Sequence, residues 1–360
     1  MIKVLYIRSS FDPGGTESLL LNLFNYPQKE IQFHYAFLKD GSLIDKLNSN
    51  YNKYYKVFRK TKIDLRTLER LYRILKENEI YIVHTHQMFE LFYAFLLKLL
   101  NPKLKIFHTI HGYFDTNKKW AERLEMFLIY FTERTFTVSY AAKDILKKKG
   151  YPANKISVLY NAVQLPSRAS SKELEAFKIR IKYKSSDFIA GMIGNFVWWK
   201  DQITIVKAFN FLRKEIPELK IIFIGKESDF SEKCKALLKP EDIDERVFFL
   251  GALENASKYL SLFDLFIMST IMDTFGIVVI EALMCKIPVL ASDIDVMKEL
   301  SRNGKYFDLF KTKNYISLSN HIRLYYNINI TEKKDFVHKN ILNKFSYKYY
   351  VYKLMKVYSI

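Results

Sequence analysis

Short apolar runs rich in β-branched and aromatic residues alternate with amphipathic stretches of helical length along almost the whole chain, which leaves few architectures open. In the first half the runs are 2–7, 33–38, 80–84, 106–110, 136–138 and 156–159, with helical patterns such as 64–78 and 120–134 between them. Strands that are apolar on both faces must be covered on both, so this rhythm predicts a parallel sheet with helices on each side. Over 164–187 the rhythm breaks into a polar stretch with Pro166 and several Ser and Lys residues, the predicted domain boundary. A second series follows at 188–193, 221–224, 247–250, 265–268 and 289–291, with helices such as 202–215 and 275–285. The expectation is an α/β protein of two doubly wound domains, 1–165 and 188–344, closed by a helical segment at 345–360. Ligands of such sheets bind beyond the strand carboxyl ends, which predicts a site in a cleft that the two domains face.

Size and composition narrow the class further. A chain of 360 residues accommodates two ordinary domains, and 49% hydrophobic with 26% charged residues is globular rather than disordered. Cys234 and Cys285 alone make neither a disulfide framework nor a zinc site, and both are expected as buried thiols. The first apolar run turns polar after seven residues, too short for a signal peptide. The stretches 89–100 and 259–271 carry charges and are shorter than the roughly 20 residues of a membrane span, so a cytoplasmic protein is expected.

A net charge of +19 fits nucleic acid, an anionic membrane surface or compositional bias. Lys53, Lys56, Arg59, Lys60 and Lys62 are interleaved with Tyr54, Tyr55 and Phe58. Lys98, Lys103 and Lys105 follow, then Lys118 and Lys119 beside Trp120, and Lys147 to Lys149. Basic residues with interfacial aromatics suit the inner membrane face, and an ordinary solvated surface explains them equally well. No helix-turn-helix, zinc-finger or RNA-binding aromatic signature supports nucleic acid.

The chemistry is concentrated in STIMDTFGIVVIEALMCKIPVLASD, residues 269–293. Asp273 and Thr274 are candidate N-caps for a helix opened by Phe275-Gly276, whose free N–H groups and dipole favour phosphate. Glu281 lies on a helix apolar all round and needs hydrogen-bond donors, either a ribose with two hydroxyls or a backbone or Arg partner.

This segment resembles the E-x7-E element of retaining GT-B glycosyltransferases of family 4, with two Rossmann-like domains. The family runs E-G-F-G-x-x-x-x-E-A, then P-V-x-A-S; here D-T-F-G-I-V-V-I-E-A precedes P-V-L-A-S. The resemblance implies that Glu281 holds the donor ribose and Asp273 contacts the transferred sugar. Thr274, Phe275, Gly276 and Ile277 would line the sugar and phosphates. Asp273 is one methylene shorter than the family's Glu, and Lys286 replaces its Gly.

Four further places match. F-D-P-G-G-T-E-S after the first strand resembles the family's G-G-x-E loop, which implies that Gly15 approaches the donor and Gly14, Thr16 and Glu17 the acceptor; a plain tight turn is the alternative. T-I-H-G ends a strand where the family carries a His that contacts the donor sugar, here His111, although a structural histidine fits the position too. N-A-V at residues 161–163 resembles the family's N-G-V near the hinge. I-G-N-F-V-W-W-K-D-Q resembles G-R-L-x-x-x-K, whose Arg and Lys neutralise the donor diphosphate; Lys200 matches, Asn195 replaces the Arg, and Lys226 is the candidate compensating cation. The closing F-S-Y-K-Y-Y-V-Y-K-L-M-K-V-Y looks like the family's helix that returns to the first domain.

The resemblance implies a retaining transfer of a hexose-type sugar from a nucleotide diphosphate sugar, UDP favoured, to a glycan or lipid-linked glycan in surface-polysaccharide assembly. Asp273, His111 and Glu281 are the expected catalytic residues. No cofactor and no metal are expected, and the D-x-D matches at 242–244 and 293–295 read as chance. Two other readings stay open: a nucleotide-sugar epimerase of the same fold, and a degenerate non-catalytic partner subunit.

Overall fold

The structure, a computed structural model, describes residues 1–61, 63–112, 119–327 and 334–359; Lys62 and Lys118 of the basic clusters lie outside them. It divides into two compact units, Met1–Ala162 with Phe345–Ile360, and Val163–Lys344.

Among the described residues the first unit holds strands β1 (Ile2–Arg8), β2 (Ile31–Phe37), β3 (Lys53–Lys56), β4 (Ile82–Thr85), β5 (Lys105–Ile110), β6 (Arg134–Thr137) and β7 (Ile156–Val158). Helices α1 (Gly15–Asn25), α2 (Leu65–Glu77), α3 (Met88–Leu100), α4 (Lys119–Ile129) and α5 (Tyr140–Lys148) connect them. Every pairing is parallel, in the order β3-β2-β1-β4-β5-β6-β7, so the strand order reverses between β1 and β4. One sheet face packs on α1 and on residues of the closing helix, Tyr347, Tyr350, Val351, Leu354 and Tyr358. The other face packs on α2 to α5 through residues such as Leu71, Leu91, Leu97, Leu128 and Leu146.

The second unit holds β8 (Phe188–Ile193), β9 (Leu219–Ile224), β10 (Val247–Phe249), β11 (Leu265–Met268), β12 (Val289–Ser292) and β13 (Asp308–Phe310), again all parallel. Their order is β10-β9-β8-β11-β12-β13, with the reversal between β8 and β11. The helices are α6 (Ser171–Arg180), α7 (Gln202–Leu212), α8 (Asp229–Lys235), α9 (Ile277–Met284), α10 (Asp295–Ser301), α11 (Tyr315–Asn327) and α12 (Lys334–Phe345); α13 (Tyr347–Tyr358) closes the chain.

Three features depart from the sequence expectation. The polar stretch 164–187 contains α6, capped by Ser170 and Glu173 and held by Phe177 stacked on Tyr259 at 4.2 Å, so it belongs with the second unit. The basic run at 53–56 is the edge strand β3. Tyr54 meets Phe37 edge-on and Tyr55 hydrogen-bonds His34, while Lys53 and Lys56 point outward. An edge strand buries little, so it shows no apolar run, and its lysines discourage further pairing. The short strand β13 escaped the apolar-run criterion for the same reason.

Candidate functional site

In the second unit the candidate residues gather where β8, β9 and β11 end, beside the reversal of strand order. Beyond β8, Gly194 and Asn195 meet the turn after β9: a Cβ on Gly225 would lie 2.1 Å from the Gly194 carbonyl oxygen, so only glycine permits this approach. Asn195 Oδ1 accepts from the Lys226 backbone N–H at 3.0 Å, which sets the exposed Lys226 beside the position where the family carries Arg. Lys200 closes a 3-10 turn, Trp198–Lys200, and its Nζ donates to Asp273 Oδ2 at 2.8 Å.

Asp273 does not cap α9. Its Oδ1 accepts from the N–H groups of Thr274 at 2.7 Å and Phe275 at 3.2 Å, one turn too early. Gly276 is the N-cap, with φ of 84°, in a conformation that L side chains rarely adopt. Having no side chain, Gly276 offers α9 no side-chain cap; the Val279 N–H donates to the Gly276 carbonyl at 3.1 Å, which leaves the N–H groups of Ile277 and Val278 at the helix start to face an anion. Burial pushes the Asp273 carboxyl up, but the Lys200 ammonium and the two N–H groups outweigh it and hold it below the usual carboxylate range.

Glu281 sits one turn further along α9, among Val279, Ile280, Ala282 and Leu283, all buried. Among the described residues neither an Arg nor a backbone group bonds it; its Oε2 accepts from Ser257 Oγ at 2.5 Å. Burial pushes its carboxyl up to about 7, against the lowering effect of that bond. A half-neutral carboxyl with a single hydroxyl partner is a ready acceptor for further hydroxyl donors.

The first unit carries a second site, a cavity of about 500 Å³ whose walls include Arg8, Thr16, His86, His111, Glu122 and Tyr151. Arg8, the last residue of β1, is fully buried and binds two carboxylates, Glu17 at 2.5 Å and Glu90 at 3.4 Å. Glu90 also accepts from the N–H groups of Ser9, His86 and Gln87 at 2.6, 2.8 and 3.1 Å, which ties the ends of β1 and β4 together. Beyond β5, His111 Nε2 lies 2.8 Å from His86 Nδ1.

Of the residues anticipated from sequence, the structure joins Lys200 to Asp273 directly and Asn195 to Lys226 through its backbone. Thr16 and His111 share the cavity of the first unit. Glu17 is engaged by Arg8, while Gly14 and Gly15 form the exposed entry to α1. Arg8, His86, Glu90 and Ser257 were not anticipated. A signal for Glu90 existed, since it is as isolated among apolar neighbours in MFELFYAF as Glu281 is on α9. Asp242 pairs with Arg213 at 2.6 Å and Asp293 accepts from Thr312, so these acids of the D-x-D matches hold the fold. Cys234 is buried and Cys285 half-buried, both as thiols.

Residues 13–165 match the family described as Glycosyltransferase Family 4, and residues 174–340 the one described as Glycosyl transferases group 1. With two parallel-sheet Rossmann-like units, these matches define a GT-B glycosyltransferase, and the chain belongs to family 4. It is 24% identical to the capsular polysaccharide biosynthesis glycosyltransferase CapH of Staphylococcus aureus over 85% of either chain. It is 22% identical to the UDP-Gal:alpha-D-GlcNAc-diphosphoundecaprenol alpha-1,3-galactosyltransferase of Escherichia coli, over 84% of this chain and 82% of that one. Among solved structures, HepE of Anabaena in complex with UDP and glucose matches with a TM-score of 0.82 over 100% of both chains at 18% identity. The glycosyltransferase of Rickettsia africae matches at 0.85 over 99% of this chain and 97% of that one, at 18% identity. The protein is thus a glycosyltransferase of polysaccharide or glycan biosynthesis. No helix among the described residues is long and apolar enough to cross a membrane.

Proposed function

We propose that this chain transfers a hexose-type sugar from a UDP-sugar to a lipid-linked glycan with retention of anomeric configuration. The observation that carries the donor reading is Glu281: a carboxyl secluded on an apolar helix, held among the described residues by Ser257 alone, just past the N-terminus of α9, which has no side-chain cap. A nucleotide ribose supplies the missing donors, and its diphosphate suits the helix terminus together with Lys200 and Lys226. UDP is favoured because the Anabaena relative is complexed with UDP and the Escherichia coli relative is named for UDP-Gal. A diphosphoundecaprenol-linked acceptor is favoured by the name of that same relative.

In the reaction the bond from the anomeric carbon to the diphosphate oxygen breaks as an acceptor oxygen bonds that carbon from the same face. The departing phosphate oxygen takes the acceptor proton, so no side chain serves as base. Lys200 and the α9 N–H groups stabilise the leaving group as its negative charge grows, without a metal. On donor binding Lys200 divides its ammonium between Asp273 and phosphate. Exposed Leu99, Leu100, Phe127 and Tyr130, with Lys103 and Arg123 nearby in sequence, support peripheral docking of the first unit on an anionic membrane.

The test is thermal stabilisation by UDP, GDP, ADP and CMP, with the native chain and with Glu281→Ala. A ligand at a hundred times its dissociation constant stabilises by about 2.7 kcal/mol. Stabilisation by UDP that disappears in the variant is expected; no response to any nucleotide would overturn the donor site. Lys226→Ala should weaken UDP binding, and an unchanged affinity would remove Lys226 from it. Binding to anionic vesicles should fall as salt rises; no binding at low salt ends the membrane reading.

A further inference from the structure

In the first unit a row of buried rings runs from the closing helix to the cavity. Tyr358 on α13 donates to or accepts from Tyr6 at 2.9 Å, and it bonds His84 Nδ1 at 2.5 Å. His84 Nε2 meets Thr109 Oγ1 at 2.8 Å, and the His84 ring lies parallel to His86, centroids 4.8 Å apart. His86 in turn meets His111 nitrogen to nitrogen at 2.8 Å, with centroids 5.0 Å apart and planes 30° apart. That separation belongs to two imidazoles bonded near one plane rather than stacked face on face.

Of two neutral imidazoles joined in this way, one must donate and the other accept. Both are neutral at physiological pH. Burial holds His86 well below the usual histidine range, reinforced by His84, His111, Arg8 and His108. Burial, then Arg8 and His108, holds His111 at about 3. The charged and titratable groups around the pair are Arg8 at the end of β1, His84 on β4, His108 on β5 and Glu90 on α3, with Glu122, Glu125 and Lys149 on the cavity wall.

The direction of the bond follows from the far side of His86. Its Nε2 is buried and has no hydrogen-bond partner among the described residues. If His111 donated, neutral His86 would carry its proton on that Nε2, a buried N–H with no acceptor. If His86 donates from Nδ1, the defect is a bare lone pair, and orphaned buried N–H groups are the rarer and costlier of the two.

We propose that His86 is a positioning residue that donates from Nδ1 to His111 Nε2 and thereby fixes His111, a residue of the cavity wall, as the Nδ1–H tautomer, whose second nitrogen is a hydrogen-bond donor and not a base. A substrate atom that bonds His111 Nδ1 must then be an acceptor, such as a sugar hydroxyl oxygen. That last identification rests on the transferase reading, whereas the tautomer does not.

Two variants separate the effects. His86→Phe keeps an aromatic ring but has no N–H, and His86→Asn places an amide N–H near the position of Nδ1. In protein labelled with 15N-histidine at neutral pH, the protonated and bare nitrogens of each ring give distinct resonances. The expected result is a proton on His111 Nδ1 in the native chain and in His86→Asn, and a mixture of tautomers in His86→Phe. A proton on His111 Nε2 in the native chain overturns the proposal, as does an unchanged tautomer in His86→Phe. Since the native chain answers the first point, poor folding of one variant does not block the test. In transfer assays His86→Phe should lower kcat/KM about tenfold, with His86→Asn restoring most of it; a loss not rescued by Asn marks a merely structural ring. The spectra are read without nucleotide, so failed UDP stabilisation would overturn the function and leave the tautomer standing.

Discussion

Replacing Glu281 with Gln should make the protein more stable and less able to bind nucleotide, two effects of opposite sign from one proton. The carboxyl is raised from 4.5 to about 7 because ionising it on α9 means burying a charge. At 1.36 kcal/mol per pH unit, that rise is a stability deficit of about 3 kcal/mol for the ionised native chain. The sign follows from proton binding. Between the unfolded and folded pKa values the native state holds the proton that the unfolded chain has lost, so stability is full below about 4.5 and declines as pH rises through about 7. Gln carries no charge and still offers Ser257 an acceptor oxygen. At pH 8 the variant should therefore unfold about 6–12 °C higher than the native chain, by the usual scaling for a unit of this size. Near pH 4.5 the two should coincide. Calorimetry or denaturant unfolding at both values checks this, with UDP added in a parallel series. UDP should stabilise the native chain and raise the variant far less. A variant that is less stable at pH 8, or equally offset at every pH, would refute the assignment of the raised carboxyl to burial of Glu281.

Lys200→Ala leaves Asp273 half-buried beside two N–H groups, at a cost of about 1–3 kcal/mol. Because Asp273 is held low in the folded state, its stabilisation is lost as pH falls through its folded value, and urea unfolding across the acid range should show that loss moved to higher pH in the variant. Arg8→Met strands Glu17 and Glu90 and should cost about 3–5 kcal/mol in thermal unfolding, with Glu90→Gln recovering part of it. Gly276→Ala forces a side chain into the left-handed region with its Cβ 2.7 Å from Met297 Cε. It should cost about 1–3 kcal/mol and weaken UDP stabilisation, read in the same melts.

Much of the fold was legible because burial on both faces of a parallel sheet writes itself as unbroken apolar runs. The runs read at 2–7, 188–193 and 265–268 fall on β1, β8 and β11. The closing pattern at 347–358 falls on α13, whose buried Tyr and aliphatic positions recur at helical spacing. Strands β3 and β13 were not legible, because each sits at a sheet edge where one side needs no apolar residue. The cap of α9 was misread for a related reason. Asp273 has the chemistry of a cap, but capping depends on the backbone turn, and the turn places Gly276 there.

By itself the sequence determined the class of the protein. Period and composition point to two doubly wound α/β domains, and D-T-F-G followed by Glu281 carries the resemblance to family 4, because local pattern and residue chemistry are properties of neighbours in the chain. Only the tertiary structure decided which charges meet. Lys200 reaches Asp273 across 73 positions, Arg8 reaches Glu90 across 82, and Tyr358 reaches His84 across 274. Such partners come from strand ends, helices and turns that lie far apart in the chain and meet only when a sheet and its helices pack, and their ionisation depends on how thoroughly that packing removes them from water. Whether Glu281 is ionised at neutral pH, and which nitrogen of His111 holds its proton, are therefore settled by packing.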